Sequence, residues 1–233
     1  MPKVKRSQED RELIREKILE EALTLISEHG FTSFSMRKLA SRFGLSATAI
    51  YNYYSSKDEL YLVILTKGFE LLHERLEKIL LSRCDPSRKL GNMVRAYIDF
   101  GISNANYYNI MFTSDAPKYR DYAGTDIEPV AFVEKQTALK IIDVASGALR
   151  EFVQIHGGMP ESGIRYFVIR LWSTLHGIIS LYNSRVLPEV DENPEHLVDH
   201  VAEDVLESLL HLEHGRAQGR RIGTPVSTRH IPR

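Results

Sequence analysis

Between Ser35 and Leu60 the chain gives one local signal twice within a dozen residues: a hydroxyl able to cap a helix, then a short run with its apolar positions on one side. Ser35 precedes Met36-Arg37-Lys38-Leu39-Ala40, and its side chain can accept a hydrogen bond from a free N–H of the following turn. Leu39, Ala40 and Phe43 share a helical face. Gly44 can take the left-handed conformation that stops a helix, Leu45 plugs the turn, and Ser46 caps a second helix. There Ile50 and Tyr54, four apart, face inward. Ala47, Thr48, Ala49, Tyr51, Asn52 and Tyr53 are left outside. Two short helices joined by a brief turn with a glycine make a helix-turn-helix. Small residues at the front of the second helix let it enter a DNA major groove about 12 Å wide. Tyrosine hydroxyls and Lys57 can then reach the phosphates alongside.

Ser35-Met36-Arg37-Lys38-Leu39-Ala40, followed by Ser46, Ile50-Tyr51, Tyr53-Tyr54, Lys57 and Leu60, resembles the DNA-binding domain of TetR-type transcriptional regulators over about residues 12–72. The family often has a small residue, Lys or Gln at the place of Ala47, and His-Phe at that of Tyr53-Tyr54. The resemblance implies that Ser35 and Arg37 meet the DNA backbone and groove edge. Thr48 and Asn52 would read bases, Tyr51, Tyr53 and Lys57 would hold phosphates, and Ser46, Ala47 and Ala49 would complete the face.

The rest of the chain is also read as helical, so the fold class is all-α. A stripe of Leu13, Ile14, Ile18, Ala22, Leu25 and Ile26 predicts a helix over about 8–29 that Gly30 ends, with Phe31 and Phe34 as core plugs. A long helix over 57–81, capped by Ser55 or Ser56, buries Leu60, Val63, Ile64, Leu71 and Leu72 and leaves His73 exposed among charges. It starts in the N-terminal unit and leaves it, a natural lever between a DNA-binding domain at 8–60 and a helical ligand-binding and dimerisation domain at 61–214. Asp85-Pro86 breaks it. Further helices follow over about 87–103, 104–112, 127–156, 161–187 and 194–214, with a loop over 113–126. Residues 215–233, rich in Gly, Arg and Pro, read as a disordered basic tail. Lys3, Lys5 and Arg6 belong to a frayed terminus or to an arm near the minor groove.

Net charge is −1 over 233 residues, modest for a DNA-binding chain, but it is unevenly placed. Residues 1–60 hold ten Lys/Arg against nine Asp/Glu, 61–214 hold fifteen against twenty-two, and 215–233 hold five Arg and no acid. DNA contact is therefore expected from the N-terminal unit, with the basic tail as a second source, through local cations and helix N-termini rather than a broad basic field. No apolar run could span a bilayer and no signal core is read at the N-terminus, so a cytoplasmic protein without membrane contact is expected. Cys84 is the lone cysteine, which excludes an intramolecular disulfide and a cysteine-rich metal site.

Trp172 and His176 lie four apart on one helix face. Leu171-Trp172-Ser173-Thr174-Leu175-His176-Gly177 is similar to the Trp-x3-His-Gly segment of one group of TetR-type C-terminal domains. Tyr108-x2-Met111-Phe112 is similar to that group's second motif, with Ala105-Asn106 where a proline is usual. Two readings stay open. The aromatic cluster is core, with Gly177 letting two helices approach. Or Tyr97, Phe100, Tyr108, Met111, Phe112, Trp172 and His176 line a ligand pocket between helices, with His176 as its polar handle. Apolar faces around Leu175, Ile178, Ile179 and Leu181, and around Val201, Val205, Leu209 and Leu212, suggest a homodimer through the last two long helices. Such a dimer would read a near-palindromic operator, its recognition helices about 34 Å apart. The family resemblance implies repression relieved by a small-molecule effector. No phosphate loop, Ser-His-Asp order, metal site or cofactor is read, so no enzyme is expected. The alternative is a helical interaction module that binds no DNA.

Overall fold

The computed structural model describes residues 7–113, 116–156 and 159–214. The basic tail and the cationic residues Lys3, Lys5 and Arg6 lie outside the described residues, as do the side chains of Leu209 and Leu212. Ten α-helices and one 3-10 turn make up the described chain, with no strand among the described residues.

Helix α1 (Gln8–Ser33) opens on a reciprocal capping box between Ser7 and Asp10 and kinks at Gly30, whose φ is 76°. The helix-turn-helix follows as α2 (Met36–Arg42) and α3 (Ala47–Tyr51). Ser35 and Ser46 cap them, accepting from Lys38 N–H and Ala49 N–H. Gly44 between them has φ 61°, a conformation a side chain would strain. Ile18, Leu39, Ile50 and Leu60 are fully enclosed, with Phe34 beside them, so these short helices close around one solid core. Arg15 fastens its edge. Its guanidinium donates to the Tyr53 carbonyl and lies 4.7 Å over the Tyr54 ring, while the Tyr54 hydroxyl donates to the Arg15 carbonyl.

Helix α4 (Lys57–Leu80), capped by Ser56, is the axis of the molecule. Its buried positions are Leu60, Tyr61, Leu62, Ile64, Leu65, Phe69, Leu72 and Leu76, a broader set than the expected stripe. Val63 and Leu71 are only half-buried. The width follows from α4's neighbours: α1, α5 (Pro86–Ser103), α6 (Ala105–Thr113) and above all α7 (Glu128–His156) pack on it. His73 is partly covered rather than exposed, its side chain 17% accessible and 3.9 Å from the Glu77 carboxylate. At Gly68 a Cβ would sit 2.6 Å from Met111 Sδ and 3.0 Å from the Tyr107 ring, so α6 approaches α4 where only a glycine leaves room.

Helices α8 (Glu161–Asn183), α9 (Leu187–Val190) and α10 (Pro194–His214) complete the body. The expected 161–187 helix stops at Asn183, and Pro188 sits in the first turn of α9, where its missing N–H costs nothing. The expected loop over 113–126 contains the 3-10 turn Tyr119–Tyr122. The buried Lys89 and the partly exposed Glu151, 2.7 Å apart, tie α5 to α7. Much of the apolar surface expected at a dimer interface is used within the chain: Leu175, Ile178, Ile179 and Val205 are buried against their own α5, α8 and α10 partners. Leu181 stays out, 43% exposed. Gly177 does not serve a close approach within the chain, since a Cβ there would meet nothing within 4 Å.

Candidate functional site

Two sites follow from this arrangement. On the N-terminal unit, Arg37, Ser46, Thr48, Tyr51 and Asn52 are exposed, whereas Ser35, Ala47, Ala49 and Tyr53 are half-covered. The Ser35 and Ser46 hydroxyls are engaged as caps, and their helices' N-terminal N–H groups lie among these side chains. Lys57, expected to hold a phosphate, lies against an aromatic ring. Its ammonium rests 4.0 Å from the centre of the Phe31 ring, and burial lowers its pKa. Arg42 is tied to Glu21 and Glu28, and the Lys38 ammonium donates to the Ser33 carbonyl. Arg37 is left as the exposed cation beside α2's first turn.

In the body, a cavity of about 450 Å³ lies among α4, α5, α6, α7 and α8. Tyr97, Met111, Phe112 and Trp172 line it, as expected of a pocket. Phe100, Tyr108 and His176 are not among its lining residues. Phe100 is fully buried elsewhere in the core, with the Arg75 guanidinium 5.4 Å from its ring. Tyr108 and His176 join a hydrogen-bonded relay behind the wall. The Trp172 indole N–H donates to the Tyr97 hydroxyl at 2.7 Å. The Tyr97 and Tyr108 hydroxyls are 3.1 Å apart, and Tyr108 is 2.8 Å from His176 Nδ1. With Trp172 as a pure donor, the order that satisfies every oxygen has Tyr97 donating to Tyr108 and Tyr108 donating to a neutral His176. Burial pushes the Tyr97 phenol well above its ordinary range, pushes Tyr108 up to about 12, and holds His176 below the usual imidazole value. The cluster thus divides into a hydrogen-bonded relay and the wall of a hollow.

Sequence reasoning missed most of that wall. Leu90, Met93 and Val94 come from α5, Ala138, Leu139, Ile141, Ile142, Ala145 and Leu149 from α7, and Arg165 from α8. Aliphatic residues at helical spacing look the same whether they face a neighbour or a void, so nothing in their pattern separates the two. It also missed His196 and His200, at i, i+4 spacing on α10 with their Nε2 atoms 3.3 Å apart. No third His, Cys, Asp or Glu joins them in a metal-binding group among the described residues.

The N-terminal unit and the body are joined through α4, α6 and the turn after it. Phe69 and Leu76 of α4 line the cavity, while Lys57 and Asp58 of the same helix sit in the N-terminal unit. The Tyr122 hydroxyl, from the 3-10 turn after α6, donates to Asp58 at 2.9 Å. Ser27 of α1 donates to Asn106 of α6, also at 2.9 Å.

Residues 18–64 match the family described as "Bacterial regulatory proteins, tetR family", and residues 90–205 match "Tetracyclin repressor-like, C-terminal domain". The chain is 29% identical over 101 residues to the transcriptional activator FasR of Mycolicibacterium smegmatis, covering 43% of this chain and 46% of that protein. It is 25% identical over 112 residues to the transcriptional repressor NicS of Pseudomonas putida, covering 48% and 52%. The chain thus spans about half the length of these curated relatives. Among solved structures, the regulator FadR of Bacillus subtilis, in complex with stearoyl-CoA, shares the fold with a TM-score of 0.62 at 15% identity, over 83% of this chain and 96% of that one. No helix among the described residues is long and apolar enough to cross a membrane. With the capped helix-turn-helix at one end and the matched helical body at the other, the chain belongs to the TetR family of bacterial regulatory proteins.

Proposed function

We propose that this chain is a homodimeric transcriptional repressor that binds a near-palindromic operator and is released when an apolar or aromatic small molecule enters the cavity. The observation that carries the reading is that one helix, α4, belongs to both sites: its first turn lies in the DNA-binding unit and its Phe69 and Leu76 face the hollow. On this reading residues 8–60 form the DNA-binding domain and 61–214 the effector and dimerisation domain, with helix 57–81 shared. A ligand that fills the cavity more readily in one setting of α4 shifts the population toward it, and only such a differential can release DNA. Tyr122–Asp58 and Ser27–Asn106 are the contacts through which α6 and its following turn would carry that shift. The relative that holds stearoyl-CoA supports an effector with a long apolar part.

Base reading falls to Thr48 and Asn52, both exposed. Arg37 and Tyr51 contact phosphates, and Ser35, Ser46, Ala47, Ala49 and Tyr53 shape the surface around them. Lys57 adds its charge at the start of α4 after leaving Phe31. Dimerisation uses the outward face of α8, where Tyr166, Ser173, Gly177, Leu181 and Ser184 recur at helical spacing on the side opposite Ile164, Leu175 and Ile179. The same face of a second copy meets it about a two-fold axis.

The test is a titration of the full-length protein onto DNA from upstream of its own gene. A dimer should bind with an affinity that falls steeply with salt. Leu181→Glu, at an exposed position, should fold normally, run as a monomer and lose operator binding. A wild-type monomer by light scattering at micromolar concentration, or equal binding to unrelated DNA, contradicts the proposal.

A further inference from the structure

The cavity is apolar wherever α4, α5, α6 and α7 form it, apart from the Tyr97 hydroxyl, and the sole charged side chain of its lining is Arg165 on α8. Its aromatic wall has no hydrogen-bond donor to spare: the Trp172 N–H is given to Tyr97, and the Tyr97 hydroxyl donates to Tyr108. Among the described residues, no buried side-chain nitrogen or oxygen lacks a partner. An anionic or acceptor group carried deep into this space would therefore find no donor, at a desolvation cost. Arg165, Ile169 and Trp172 line the cavity and are also exposed, which places its opening along that edge of α8.

At this opening Arg165 is uncommitted. No ion pair or hydrogen bond involves its side chain among the described residues. The carboxylate that helical spacing would offer it, Glu161 four residues earlier, is held by Arg150 through bonds of 2.6 to 3.1 Å. Arg170, further along α8, lies 4.4 Å from the centre of the Phe167 ring. A guanidinium presents a planar fork of donors that matches a carboxylate or phosphate with two parallel bonds.

We infer that the effector is an amphiphile with one anionic end: a hydrocarbon or aromatic body within the cavity and a carboxylate or phosphate on Arg165 at its opening. The inference rests on the cavity being the effector site. It names the ligand class and the residue that selects it. A neutral head gains nothing at the opening, and a cationic head is repelled there.

Four twelve-carbon probes separate the possibilities: dodecanoate, dodecyl phosphate, dodecan-1-ol and dodecylammonium, each below its aggregation threshold. Trp172 is the sole tryptophan and lines the cavity, so its fluorescence in the full-length protein reports occupancy directly. One or both anions should bind at least tenfold more tightly than the alcohol, the ammonium most weakly, and comparison of the two anions tells carboxylate from phosphate. Arg165→Gln should erase the anion advantage and leave alcohol binding unchanged, its exposed position keeping the fold intact. Equal binding of alcohol and anions, or an advantage that survives Arg165→Gln, overturns the headgroup assignment while leaving the effector cavity in place. Failure of all four probes to bind overturns both.

Discussion

The N-terminal unit and the body use the same material, short apolar stripes on capped helices, and end in opposite states of packing. In the first, Ile18, Leu39, Ile50 and Leu60 meet with no accessible surface, and the polar outer face stands on a solid base. In the second, α4, α5, α6, α7 and α8 enclose about 450 Å³ that their side chains do not fill. Protein interiors normally pack as densely as organic crystals, so an unfilled space of this size forgoes contact energy. On the proposed function, the solid unit would hold a fixed surface for DNA, and the hollow body would gain stability from a ligand that enters it.

Paired truncations should expose this contrast most strongly. Ile50→Ala opens a void in the solid unit and should cost about 2–5 kcal/mol, enough to lose DNA binding near body temperature. Leu139→Ala, on the half-covered cavity wall, enlarges an existing space and should cost about 1 kcal/mol, the transfer of a partly exposed side chain. Urea denaturation of both variants measures the gap. Equal costs would mean that the body is packed as tightly as the N-terminal unit.

Gly68→Val comes next. Its branches would collide with Met111 and Tyr107 and push α6 from α4, at about 1–3 kcal/mol. Because α6 touches the cavity through Met111 and α1 through Asn106, operator affinity should change by more than the loss of stability explains. Thermal melts with operator titrations check this. An unchanged operator affinity would separate α6 from the coupling.

The smallest effect is the pH dependence of the relay. His176 is held neutral in the folded protein, with its pKa below the unfolded value. Between the two values the unfolded chain binds more protons, so stability is complete above about pH 6.5 and declines as pH falls through the folded value. Chemical denaturation from pH 8 to pH 5 should show this decline in wild type and a shallower one in His176→Gln. Identical curves would remove His176 from the account.

The legibility of the two regions differs for the same physical reason. Ser35, Ser46 and Ser56 act within three residues of themselves, and Gly44 decides its own backbone, so caps and turn could be read from spacing alone. The cavity arises from distances between helices far apart in the chain. Met93, Ile142 and Val168 carry no mark of facing a void. Among the aromatics, the hydroxyl and imidazole of Tyr108 and His176 found partners in the core, while Phe112 and Trp172 kept faces toward the hollow. The rest of Lys57 on Phe31 could not be read from spacing, because Phe31 follows the kink at Gly30 and meets Lys57 across the fold.

On the proposed function, filling the cavity moves α4 and loosens the DNA-binding unit. The most direct test is an operator titration by fluorescence anisotropy, with Trp172 emission followed in the same samples as dodecanoate is added. Operator affinity should fall in step with cavity occupancy, by about 5–150-fold at saturation, as a coupling of about 1–3 kcal/mol requires. Full quenching of Trp172 with operator affinity unchanged would contradict it.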